Sequence, residues 1–366
     1  MPFSSFHGNS DIVRLMREAL ARHRFPHGVI LTGPPGSGKY TLALMMAQAM
    51  NCLTPPSSPD SLPDFCGTCS NCARIGQAAD LDTRFAEAVE AREALRETDK
   101  RETRILVQTH PDVLVIPPDP PQMLVKVDQV RRVIANIYYR PAEARERVYI
   151  FTTSAFMKEA ANSLLKILEE PPEFATLFLL AENPGGLLPT IRSRCVTFTL
   201  APLQSSAIEQ DLAQVHPDWT AAQRTLVARL SGGAVGRARG FDLAAYAAAR
   251  ANALAVLTSA LEGNDHSALF KITETYRAGA DGRDKTEHLL RTLYSLLEDL
   301  LWLLEGTPEL VRNADISRDL EKLAQSANFA WVQEASERLA EVERGMRRNL
   351  LRSLSLDAFA TALERA

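Results

Sequence analysis

Five short runs rich in Val, Ile, Leu and Phe punctuate the first 200 residues: 28–33 (GVILTG), 113–116 (VLVI), 147–153 (RVYIFTT), 175–181 (ATLFLLA) and 195–200 (CVTFTL). Helical patterns lie between them, including 41–50, 127–138 and 158–168. Strands alternating with helices predict an α/β domain whose parallel five-stranded sheet is covered on both faces. After 201–203 (APL) the strands cease, and 229–241 (RLSGGAVGRARGF) reads as a glycine-punctuated helix junction. From about 244 the chain reads as helical, with Leu289, Leu293, Leu296, Leu297, Leu300, Leu301 and Leu304 on one broad apolar face. The expected organisation is an α/β domain over 1–200, a small helical domain over 201–243 and an all-α domain over 244–366.

Two segments interrupt the alternation. Residues 80–104 are rich in Ala, Glu and Arg of mixed sign, with Glu97 and Arg101 spaced as an i,i+4 pair, and read as a solvated helix or, alternatively, a docking arm. The other, 52–72, holds four of the five cysteines: Cys52, Cys66, Cys69 and Cys72. Thiolates at C-x2-C-x2-C spacing on a Gly- and Pro-rich loop can converge on a structural zinc ion. An iron-sulfur cluster and free thiols are the rivals, the former weakened by the missing fourth cysteine and proline just downstream. His7 and His110 are spare donors expected to have no metal role.

The first strand runs into Gly33, Pro34, Pro35, Gly36, Ser37, Gly38, Lys39, Tyr40 and Thr41 (GPPGSGKYT). This is nearly the phosphate-binding loop G-x-x-x-x-G-K-[ST], in which backbone N–H groups and the lysine hold phosphate while the final hydroxyl ligates magnesium. Tyr40 cannot do the last job, because its oxygen lies beyond a rigid ring, and Thr41 is rotated by about 100° along the helix. A hydrolase also needs carboxylates at a neighbouring strand end. The run 147–151 is followed by Thr152, Thr153 and Ser154, with no acid until Glu159, and Asp119 follows 113–116 only after two prolines. Both a degenerate nucleotide-binding loop and an empty glycine turn remain open.

Net charge is −4 and the isoelectric point about 6.0, so the molecule as a whole is no electrostatic nucleic-acid binder and protein partners are expected. The local basic group Arg344, Arg347, Arg348 and Arg352 is the one hint of a DNA-binding face. The amino-terminal stretch lacks a signal-peptide layout and no run of 18 apolar residues occurs, which leads to an expectation of a cytoplasmic protein.

At 159–172 (EAANSLLKILEEPP) and 187–195 (LLPTIRSRC) the chain resembles the AAA+ clamp-loader family of bacterial DNA polymerase III, and within it the delta-prime type of subunit. The likeness covers nearly the whole chain, including the first strand and loop, the four cysteines as a zinc module, and 110–116 (HPDVLVI) with 125–134 (VKVDQVRRVI). It implies an AAA+-like domain followed by a helical lid and a helical collar. It also implies that Arg194, in the Ser193-Arg194-Cys195 motif, is an arginine finger projecting into a neighbour's ATP site. Asn183 and Arg237 fall at the two sensor positions. Implied partners are the tau/gamma and delta subunits in a ring, with the sliding clamp and primed DNA reached through the complex. ATP or ADP binding stays open, and no ATPase activity of its own is expected despite membership of a polymerase holoenzyme. An active tau/gamma-like ATPase and a zinc-stabilised DNA-binding module are the alternatives. Glu169 and Glu170, acids at a helix C-terminus where the macrodipole disfavours them, suggest a contact elsewhere, at a subunit interface, with a solvated helix end as the alternative.

Overall fold

The computed structural model describes residues 2–262, 270, 273–275, 280–347 and 352–363. The chain divides into two compact units, residues 1–204 with 232–237, and residues 205–231 with 238–366. The first holds β1 (Gly28–Thr32), β2 (Val107–His110), β3 (Val113–Ile116), β4 (Arg147–Phe151), β5 (Ala175–Ala181) and β6 (Val196–Thr199) in one sheet, ordered β2-β3-β4-β5-β1-β6. The five expected strands are present and parallel to their neighbours. The sixth, β2, corrects the five-stranded expectation: it is antiparallel to β3 at the sheet edge. Its sequence, VQTH, is too short and too polar to stand out as a strand, and pairing with β3 is what makes it one.

Side chains alternate across the sheet, as the pleat requires. Val29 and Leu31 of β1, with Phe178 and Leu180 of β5, join a core built with α1 (Ser10–Ala21), α2 (Lys39–Asn51) and α3 (Ser70–Gly76). The intervening Ile30, Leu177 and Leu179 pack on the other face, under residues of 127–137 and 158–169.

The insertion forms α4 (Leu81–Glu93) and α5 (Glu97–Glu102). Most of it is exposed, and Lys100 pairs with Glu97 and Glu93, while the side chain of Arg101 lies outside the described residues. Arg92 departs from the solvated-helix expectation. It is 8% exposed and donates through Nη1 to Oδ1 of Asp119 at 2.6 Å. Asp119 is wholly buried, with Arg104 Nε at 3.9 Å and Lys126 Nζ at 4.0 Å, so its carboxylate is committed to this cationic pocket rather than to a metal.

The remaining helices of the first unit's α/β core are α6 (Val127–Ile137), α7 (Lys158–Glu169) and the one-turn α8 (Pro189–Arg192). The second unit is helical among its described residues. The stripe predicted along 289–304 is its core: Leu289, Leu293, Leu296, Leu297 and Leu300 are buried, and Leu301 and Leu304 pack at its margin. Of the basic group, Arg348 and the side chains of Arg347 and Arg352 lie outside the described residues.

Replacing Arg92 by Met removes the shortest of three cationic contacts to the buried Asp119 and should cost about 1–3 kcal/mol, read as a lower urea midpoint. Adding Asp119→Asn should recover much of that loss.

Candidate functional site

The C-terminal end of β1 delivers the loop that precedes α2. Gly38 caps the helix in the left-handed region, at φ 89°, so Lys39 is its first residue. Gly36, at φ 79°, is pressed against the segment 235–237: a Cβ there would lie 2.7 Å from the Arg237 backbone nitrogen. The Gly236 N–H donates to the Gly36 carbonyl at 2.9 Å. Lys39 folds back on its own loop, with Nζ donating to the carbonyls of Gly33 at 2.6 Å and Pro34 at 2.7 Å. Burial lowers the lysine pKa, and the Glu182 carboxylate opposes that shift. The Ser37 hydroxyl is buried with no hydrogen-bond partner among the described residues, the kind of donor that an anion in the cradle would satisfy.

Tyr40 points away from this cradle. Its hydroxyl donates to the Ala78 carbonyl at 2.5 Å, just past α3, and burial pushes the phenol pKa up. The position that would serve a metal in the motif thus joins α2 to the turn just past α3. Thr41 is exposed on the first turn of α2.

The neighbouring strand ends carry little acid. After β4 the Thr152 N–H donates to the Ile116 carbonyl, and the Thr153 hydroxyl accepts from the Ala155 N–H at 3.1 Å. Glu182, just beyond β5, is the carboxylate missed in the sequence reading. It became relevant only because β5, rather than β4, is hydrogen-bonded to β1. Asn183 uses its Oδ1 to accept from the Gly185 N–H at 2.8 Å, closing a local turn. Of the expected nucleotide-site residues, the structure therefore brings the backbone of Arg237 against the loop, while the Asn183 side chain is engaged in its own turn.

The four cysteines converge. Their sulfurs all lie within 4.8 Å of one another, and Cys52 Sγ is 3.6 Å from Cys66 Sγ. A tetrahedral four-sulfur site has sulfurs roughly 3.8 Å apart, given metal–sulfur bonds of about 2.3 Å. Backbone N–H groups of Cys66, Cys69 and Cys72 donate to the sulfurs of Cys52, Cys66 and Cys69 in turn, at 3.3, 3.2 and 3.5 Å. The Thr54 hydroxyl, at 3.3 Å, leads the interactions that bring the Cys66 thiol down to about 5. The donor set fits a metal, and the cluster could bind one. His110 takes no part in it: its Nδ1 accepts from the Asp112 N–H at 3.1 Å, and burial lowers its pKa.

Arg194 stands apart from both features, between α8 and β6. Its Nη2 donates to Oε1 of Glu169 at 2.7 Å and its Nη1 to the Thr190 carbonyl at 3.0 Å. The side chain is 35% exposed. Glu169, the last residue of α7, thus meets an arginine of its own chain.

A family model described as DNA polymerase III, delta subunit, matches residues 8–204, more than half of the 366 residues. The chain belongs to the DNA polymerase III clamp-loader family, of AAA+ type. The delta' subunit of Pseudomonas aeruginosa is 30% identical over 214 residues, covering 58% of this chain and 54% of that protein. The delta' subunit of Bacillus subtilis is 29% identical over 204 residues, 56% of this chain and 50% of that one. The tau subunit of Escherichia coli is 26% identical over 309 residues, 84% of this chain and 38% of that one. The matches span about half or less of these relatives' own length. Among solved structures, a gamma-subunit-related protein of Thermotoga maritima aligns over 96% of this chain and 99% of that one, at 18% identity and a TM-score of 0.42. Among the described residues, no helix is long and apolar enough to cross a membrane.

Within this clamp-loader chain, restoring the motif hydroxyl should not restore hydrolysis. Tyr40→Thr is expected to show no magnesium-dependent ATP turnover, because the end of β4 still lacks a carboxylate pair. It should also lose stability, seen as a lower melting temperature, with the hydrogen bond to Ala78.

Proposed function

We propose that this chain is a delta-prime-type clamp-loader subunit, a stator that does not hydrolyse ATP and supplies Arg194 to an ATPase subunit beside it. The loop carries the reading: Lys39 is satisfied by its own carbonyls, Tyr40 is used at Ala78, and β4 ends in hydroxyl groups. Residues Gly33 to Thr41 keep the shape of a phosphate cradle, and nucleotide binding without turnover is compatible with this role. Asn183 and Arg237 take the two sensor positions.

In this reading the Arg194 guanidinium meets the charge that develops on a phosphoryl group being transferred in the adjacent subunit. Such fingers are worth roughly 10³ to 10⁵ in rate. The region 201–243 serves as a lid and 244–366 as a collar, through which the chain joins tau/gamma and delta subunits in a cytoplasmic ring that loads a sliding clamp onto primed DNA. Cys52, Cys66, Cys69 and Cys72 hold zinc. Four thiolates leave that ion no open position, so it would stabilise the fold between α2 and α3 without chemistry of its own.

A tau-like ATPase is the second reading, favoured by the Escherichia coli tau match, which spans more of this chain than the delta' matches do. Turnover by the isolated chain decides between them: none is expected, and steady magnesium-dependent hydrolysis would replace the stator with a motor. In a reconstituted complex, Arg194→Ala should remove clamp- and DNA-stimulated hydrolysis at the adjoining site while assembly persists. Full stimulated activity in that variant would sink the finger assignment. Metal analysis should find one zinc per chain, and Cys69→Ser should weaken its retention against a chelator.

A further inference from the structure

Glu169 breaks a local rule in order to meet Arg194. It closes α7, where the exposed carbonyls disfavour negative charge, and Pro171 prevents a further helical turn. The pair is placed by packing beneath it. A Cβ added to Gly28, the first residue of β1, would lie 2.9 Å from Cys195 Sγ, 3.0 Å from Leu168 Cδ2 and 3.3 Å from the Arg194 carbonyl oxygen. The residue before Glu169 and the residue after Arg194 therefore close on the same glycine. Ile191 is fully buried and Leu168 is 7% exposed, so the backbones under both charged residues are fixed.

The guanidinium itself is held from two sides. Nη2 donates to Glu169, while Nη1 donates to the Thr190 carbonyl and approaches Ser193 Oγ at 3.5 Å. Of the five N–H donors of an arginine, these bonds leave Nε–H and one Nη2–H. A second anion can be received without releasing the first.

We propose that Glu169 is a positioning residue for Arg194, holding the guanidinium in one orientation at the rim so that a neighbour's phosphate meets an already aligned fork. This rests on the reading of Arg194 as a finger. Glu169 touches no substrate, so its contribution runs through Arg194 alone. Both side chains are partly exposed and water screens the pair, which limits the effect to about two- to five-fold.

The test uses the reconstituted complex with clamp and primed DNA, and follows the part of ATP hydrolysis that Arg194→Ala removes. Glu169→Ala should lower kcat about two- to five-fold while the KM for ATP, assembly and melting temperature stay unchanged, the signature of an interaction used in the transition state. In an Arg194→Ala background the same change should produce no further loss. Three results overturn the proposal: a full rate in Glu169→Ala, a raised rate, which would make Glu169 a brake, or an equal loss in the Arg194→Ala background, which would mark a structural effect on α7. A full rate in Arg194→Ala alone overturns the finger reading instead, and that outcome is visible without any change at Glu169.

Discussion

A parallel sheet has no face that water can share cheaply, and the first unit is built around that constraint. Successive residues of β1 serve different cores, Val29 and Leu31 on one side and Ile30 on the other. Helices must therefore cover both faces, and the chain returns through a helix between most of its parallel strands. The C-terminal ends of β1, β4, β5 and β6 consequently gather along one edge of the sheet. The loop after Thr32, the hydroxyl run after Phe151 and the Glu182-Asn183 pair after Ala181 all emerge there. Their chemistry is set by what each strand end happens to carry.

At that edge, α2 has two duties. Its first turn presents Lys39, and its last residue, Asn51, leads directly into Cys52 of the metal-fit cluster. Tyr40 reinforces the second duty at the expense of the first, since its hydroxyl bonds to Ala78 beyond α3. A departure from the phosphate-loop motif that looks like simple loss is, in the folded chain, a hydrogen bond between the loop helix and the turn that follows α3. The lysine that remains has donors to spare and finds acceptors in Gly33 and Pro34. Partly desolvated, it would leave those N–H groups unsatisfied if it did not.

Two arginine–carboxylate pairs illustrate how burial decides what a charge is for. Arg92 and Asp119 are almost fully removed from water, so loss of either leaves a buried group without its shortest bond, and the pair pins an otherwise exposed insertion. Arg194 and Glu169 lie at the rim with 35% and 51% of their side-chain surfaces exposed. There water screens the bond, and it holds the side chain in place without sealing it from solvent. The same chemical pairing is sealed from water in one place and open to it in the other.

The sequence by itself determined the elements whose signals are local. Apolar runs of four to seven residues marked the five parallel strands, a leucine stripe marked the C-terminal core, and C-x2-C-x2-C marked the cluster, because pleat, helical period and ligand spacing act over a few residues. The hydroxyls after β4 and the departure at Tyr40 were equally legible, being questions of which side chain is present. Only the tertiary structure decided what depends on distant segments meeting. VQTH became β2 because β3 offered it an edge, and Glu182 reached Lys39 because β5 is the strand beside β1. Arg92 found Asp119 across 27 residues, and Glu169 found Arg194 across 25, each placed by packing of the backbones beneath them. Such pairs carry no periodicity and no motif in the chain; their partners are set by the fold's geometry, which no local window contains.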